Sequence, residues 1–157
     1  MVKQVIIPLP DRDFDTTEVA IPWKHFVEAG LHVTFSTETG QMGQTDPRLL
    51  TGVIFGQLGA KPDALAAYRE LEKNEAFRHP IPYESINPQE YDVLLLPGGH
   101  AKGMRQYLES KVVQNKAWSF SNKTKWLVPS ATASWYWQGQ SILKQGEVCC
   151  MGENSQD

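Results

Sequence analysis

The stretch Val93-Leu94-Leu95-Leu96, unbroken by any polar residue and halted by Pro97-Gly98-Gly99, most limits what this chain can become. An apolar run of strand length without alternation has no solvent side, so it needs cover on both faces, as strands of parallel sheets have. Residues 2–9 carry a second such run, ended by Pro8 and Pro10. Parallel strands require crossovers. Asp15-Thr16-Thr17-Glu18 supplies capping residues ahead of Val19, Ile21, Trp23, Phe26 and Val27, with Pro22 placed near the helix start and Gly30 just past the helix end. The alternating, β-branched stretch 31–37 completes a strand, helix, strand unit.

Residues 40–59, rich in glycine, are predicted to loop over the top of the sheet. Residues 63–77 place Leu65, Ala66, Tyr68 and Leu71 at helical spacing and predict one helix, ending before His79-Pro80-Ile81-Pro82. After the glycine turn, residues 101–114 predict another. From Trp118 the character changes: four of the five tryptophans fall in the last 40 residues, and helical periodicity stops.

The 157 residues are enough for one domain with one core. With 41% apolar residues, 21% charged residues and a net charge of −3, nothing favours nucleic acid or an anionic membrane as partner. The N-terminal apolar run is shorter than a signal-peptide core and no later segment approaches a membrane span, so a cytoplasmic location is expected. Cys149 and Cys150 are adjacent and near the end, which suits neither a disulfide framework nor a spaced metal site. No cofactor or metal is predicted.

Gly98-Gly99 follows a strand, where an open α/β sheet places its ligand crevice and where bare backbone N–H groups stabilise a developing oxyanion. Glu18 lies in a first helical turn, which favours a carboxylate as a cap. It is also placed to tune a neighbouring thiol. His100 is a candidate lining residue. His25, His32 and His79 are expected to be solvated or structurally satisfied, and Lys102 and Arg105 to form a solvated helix face. There is no Gly-x-Ser-x-Gly, Cys-x-x-Cys or phosphate-binding loop, and no cysteine before position 149.

Glu18 within Asp15-Thr16-Thr17-Glu18-Val19-Ala20-Ile21-Pro22-Trp23, the Glu28-Ala29-Gly30 helix end with Val33 and Phe35, and Leu94-Leu95-Leu96-Pro97-Gly98-Gly99-His100-Ala101-Lys102-Gly103-Met104-Arg105 together resemble the DJ-one/PfpI family of the class I glutamine amidotransferase-like superfamily. The resemblance covers residues 3–117 and implies a flavodoxin-like α/β sandwich with a mostly parallel sheet, incomplete in its C-terminal part. It also implies a small-molecule aldehyde or acyl substrate for intact relatives, glyoxalase-, deglycase- or hydrolase-like activity, and homodimerisation. In that family the nucleophile is a cysteine on a strand-to-helix elbow, usually within Ala-Ile-Cys-His-Gly, and the early glutamate contacts it. Glu18 matches that glutamate, and Gly98 and Gly99 match the turn facing the reacting atom.

At the elbow this chain has Leu127-Val128-Pro129-Ser130-Ala131-Thr132-Ala133-Ser134 instead. Read one base back from Trp118, the codons can spell Leu-Glu-Phe-Phe-Lys-Gln-Asn-Lys-Val-Ala-Gly-Ala-Ile-Cys-His-Gly-Val-Leu-Val-Leu-Ala-Arg. The Val, Leu and Ala drawn from the Tyr136-Trp137-Gln138 codons are forced or nearly so; the Cys at the Ala131 codon is permitted. The expectation is therefore a family body over 1–117, a frame-shifted tail over 118–157, and a catalytically inactive protein. Uncovered apolar strand faces in such a product are an aggregation liability, or a surface for a chaperone-like or small-molecule-binding role.

Overall fold

The computed structural model describes residues 2–51, 59–121 and 126–129. Strand β1 (Gln4–Pro8) leads through the short β2 (Arg12–Phe14) and helix α1 (Thr16–Glu28) to β3 (His32–Thr37). Then come β4 (Gln44–Thr45), α2 (Pro47–Thr51), α3 (Pro62–Leu71), α4 (Glu75–Arg78), β5 (Ile81–Pro82) and a 3₁₀ turn (Tyr83–Ser85). Strand β6 (Val93–Leu96), α5 (Met104–Leu108), α6 (Lys111–Ser121) and β7 (Trp126–Pro129) complete the described chain.

Among the described residues five strands form one sheet in the order β5-β3-β1-β6-β7, all pairs parallel. Ile6 and Ile7 point to opposite faces of β1, and both are 0% exposed, so the sheet is covered on both sides. This is the flavodoxin-like α/β sandwich that the apolar runs and the resemblance implied. A second, two-stranded parallel pair joins β2 to β4. Strand β4 sits in what was expected to be plain loop at 40–59, which also contains α2; residues 52–58 are outside the described set.

Helix α1 begins as the capping residues predicted. Asp15 is its N-cap and accepts hydrogen bonds from the backbone N–H of Thr17 (2.8 Å) and Glu18 (3.1 Å). Gly30 follows the Ala29 C-cap at φ +76°, a left-handed conformation that glycine adopts without strain. Pro22 is not at the helix start: it lies in the second turn and removes the N–H that would reach the Glu18 carbonyl.

Two single predicted helices are each broken in two. Residues 63–77 divide because the Asn74 side chain accepts the Phe77 N–H (3.2 Å) and restarts the chain as α4. Residues 101–114 divide at Ser110, whose carbonyl accepts the Gln114 N–H (3.0 Å) in the first turn of α6. Helix α6 then continues through Trp118 to Ser121, past the point where periodicity faded in the sequence. Beyond it β7 lies parallel to β6, with Leu94 opposite Leu127 and Leu96 opposite Pro129.

Candidate active site

The chain crosses from β1 to β3 on one side of the sheet and returns to place β6 on the other side of β1. The order therefore reverses between the carboxyl ends of β1 and β6, where open α/β sheets form their crevice. Helix α1 starts after β1 and the glycine turn follows β6, so this topology brings Glu18 to Gly98-Gly99.

Glu18 is half-buried and its Oε2 accepts the Gly98 N–H. The Asp15 N–H also donates to the Gly98 carbonyl (3.4 Å). Both backbone groups of Gly98 are thus held by the first turn of α1. The sequence reading of two bare N–H groups at the turn is met only by Gly99, whose N–H has no acceptor among the described residues. Gly99 has φ +158°, and a Cβ there would come within 3.0 Å of Met104 Cγ and 3.3 Å of the Asp15 nitrogen. The positive φ favours glycine at this position, and a side chain there would press on Met104 and the α1 cap.

His100 is exposed at the rim and makes no side-chain contact among the described residues. His25 and His79 are exposed beside Glu28 (3.6 Å) and Glu75 (3.4 Å), His32 is exposed on β3, and Lys102 and Arg105 are exposed, all as expected for solvated groups. Ser130, Ala131 and Thr132, where the elbow was sought, and Cys149 and Cys150 lie outside the described residues. Pro129, the last residue of β7, is in register with Leu96, two residues before Gly98. Among the described residues no group of three His, Cys, Asp or Glu side chains could hold a metal ion, and no helix is long and apolar enough to cross a membrane.

Sequence reasoning missed the residues that lace the two crevice walls together. Asp13 Oδ2 accepts the Gly103 N–H (3.0 Å). The Asp11 N–H donates to Gln106 Oε1 (2.9 Å), and Gln106 Nε2 returns a bond to Asp11 Oδ2 (2.9 Å). Asp13 takes φ +71°, left-handed for a residue with a side chain, in reaching Gly103. The signal available was Gly103 itself: a glycine shortly after a glycine turn marks a close backbone approach. A Cβ at Gly103 would lie 2.6 Å from Asp13 Oδ2 and 2.7 Å from the Arg12 carbonyl. Gly103→Ala is therefore expected to part the walls and cost about 1–3 kcal/mol in urea unfolding; an unchanged midpoint would show that the clamp is absent in solution.

Tyr107 on α5 is 0% exposed. Burial pushes its phenol well above the ordinary range, and the nearby Tyr83 phenol and Glu18 carboxylate push the same way. It stays a neutral hydroxyl beneath the crevice. Tyr83, likewise raised by burial first and by Asp11 and Glu38 next, donates its hydroxyl proton to the Leu9 carbonyl.

A family model described as ThiJ/PfpI family-like matches residues 9–140. An uncharacterized protein of Schizosaccharomyces pombe is 33% identical over 109 residues, which is 68% of this chain and 41% of that protein. The chain thus spans less than half the length of this curated relative. Among solved structures, a ThiJ/PfpI domain protein from Brachyspira murdochii is similar at a TM-score of 0.62 and 14% identity, covering 98% of this chain and 81% of its own. Glyoxalase III from Candida albicans is similar at 0.58 and 19% identity, covering 82% and 56%.

Proposed function

The chain belongs to the ThiJ/PfpI-like family, as its DJ-one/PfpI resemblance implied, and from that premise we propose that it is a member without turnover, its acid and glycine turn present and its nucleophile missing. The observation that carries this reading is the sequence itself: no cysteine precedes Cys149, while Glu18 and Gly98 are assembled and bonded to each other. A carboxylate and backbone N–H groups can tune and stabilise, but they do not supply the atom that adds to an aldehyde or acyl carbon. The substrate class proposed for intact relatives is a small aldehyde or acyl compound, in line with the glyoxalase III among the structural neighbours.

The absence of the cysteine is assigned to a one-base slip near the Ala117 codon, with residues 1–117 as the family body and 118–157 as the shifted tail. The sequence of this segment supports this: the codons of Trp126-Leu127-Val128-Pro129 can read Val-Ala-Gly-Ala one base back, directly ahead of Ile-Cys-His-Gly. A second reading is favoured by the family match running on to residue 140 and by the packing of β7 against β6: a divergent member that lost its cysteine and kept a folded end. Both readings make the chain inert.

Purified protein is expected to leave methylglyoxal unconsumed in the absence of glutathione. Sequencing the gene separates the two origins. A one-base change near the Ala117 codon that restores Ala-Ile-Cys-His-Gly supports the slip, and its absence refutes it. Glutathione-independent turnover by the chain as written would overturn the proposal whatever the gene contains.

A further inference from the structure

Beside the crevice, a cleft of about 450 Å³ is lined by Asp11, Arg12 and Asp13 on one wall and Lys102, Gly103 and Gln106 on the other. Its four charged groups are not in the same condition. Asp11 Oδ1 accepts the Thr39 N–H (3.3 Å) and hydroxyl (3.1 Å), and its Oδ2 accepts from Gln106 Nε2. Asp13 Oδ2 accepts the Gly103 N–H. Arg12 and Lys102 are exposed, and among the described residues neither side chain has a hydrogen-bond or ion-pair partner. Both Asp11 oxygens and one Asp13 oxygen are served from within the chain, whereas the two exposed cations that line the cleft are not, among the described residues.

The walls that carry these two cations are already fastened by the Asp13–Gly103 and Asp11–Gln106 bonds, so less ordering remains to be done when a ligand arrives. The cleft also opens at the carboxyl ends of β1 and β6, the side on which α/β sheets take ligands.

We propose that this cleft binds a small anionic molecule through one phosphate or carboxylate group held between Arg12 and Lys102. The planar guanidinium of Arg12 suits two oxygens of such a group, and the Lys102 ammonium adds a point charge from the other wall. Asp11 and Asp13 face the same space and repel any additional negative charge, so one compact anionic group is accepted and a polyanion such as nucleic acid is not. The site uses no thiol, and its fate is independent of the catalytic reading.

Inorganic phosphate and acetate, titrated separately into the ¹⁵N-labelled full chain at constant ionic strength, test it. Expected is a saturable shift of the Gly103 and Gln106 amides with at least one probe: phosphate alone indicates a phosphate ester, acetate alone a carboxylate. Arg12→Gln and Lys102→Gln should each weaken binding by roughly fivefold or more. Arg105→Gln, which removes an exposed cation of α5 outside the cleft, should leave it unchanged. Equilibrium dialysis of radiolabelled phosphate against the same variants gives a readout that needs no assigned spectrum. Non-saturable shifts with both probes, or equal weakening by Arg105→Gln, would reduce the effect to charge screening and overturn the proposal.

Discussion

Restoring the proposed reading frame, one base back from the Ala117 codon, is expected to turn a chain proposed to be inert into one that consumes methylglyoxal without glutathione. The gain should be roughly a thousand- to a million-fold in turnover, the range that removing a covalent nucleophile costs enzymes. The effect is expected to be large because, on the proposed reading, the acid and the glycine turn are already in place without the thiol. Glu18 is fastened to the Gly98 N–H, Gly99 keeps a donor aimed away from any described acceptor, and Asp15 ties the start of α1 to the same turn. A cysteine delivered after β7 would emerge at the edge where Pro129 faces Leu96. In the restored chain Glu18→Gln should remove about 10²–10⁴-fold of the regained activity, the usual worth of a positioned acid or base. The assay is steady-state loss of methylglyoxal. A restored chain that melts cooperatively yet stays inert would mean the missing thiol is not what separates this protein from its active relatives.

Phe77→Ala should be among the most damaging single changes to the fold itself. Phe77 is 1% exposed and stacks edge-on against Phe35 (ring centroids 5.2 Å apart), Phe14 (6.1 Å) and Tyr68 (6.4 Å). These rings belong to α4, β3, β2 and α3, so a cavity there loosens four elements at once. The expected loss is about 3–5 kcal/mol, which for a chain of this length lowers the melting temperature by roughly 6–20 °C. Phe77→Leu, which keeps most of the apolar volume, should cost less. Phe14 lies between Asp13 and Asp15, so the cluster also seats the loop that fastens the crevice walls. Equilibrium urea unfolding measures the loss; a change under about 1 kcal/mol, the ordinary size of a surface effect, would show that the rings are not packed as a unit.

Much of the site was legible because its parts obey local rules. Asp15 and Glu18 announce a helix start, and Pro97-Gly98-Gly99 announces the end of a buried strand. Their meeting was implied by the family resemblance and follows from the reversal of strand order at β1. The residues that went unread, Asp11, Asp13, Gly103 and Gln106, act across 90 or more positions of chain. A carboxylate that accepts a backbone N–H from so distant a turn leaves no periodicity to detect. The helix breaks at Asn74 and Ser110 were missed for the opposite reason: the apolar spacing continues across each, and a single polar side chain that accepts the N–H three residues on restarts the helix.

The apolar runs alone determined that the segments forming β1 and β6 would be doubly covered parallel strands, since an unalternating strand has no face to turn toward water; Val2 and Lys3, at the start of the predicted run, are instead exposed before β1. What only the tertiary structure decided is how the turn after β6 is occupied. Whether a backbone N–H stays open or is taken depends on which side chain the folded chain brings to it, and here Glu18 takes Gly98 while Gly99 has no acceptor among the described residues. The same fold set Arg12 and Lys102 into the lining of one cleft, where among the described residues neither side chain has a hydrogen-bond or ion-pair partner.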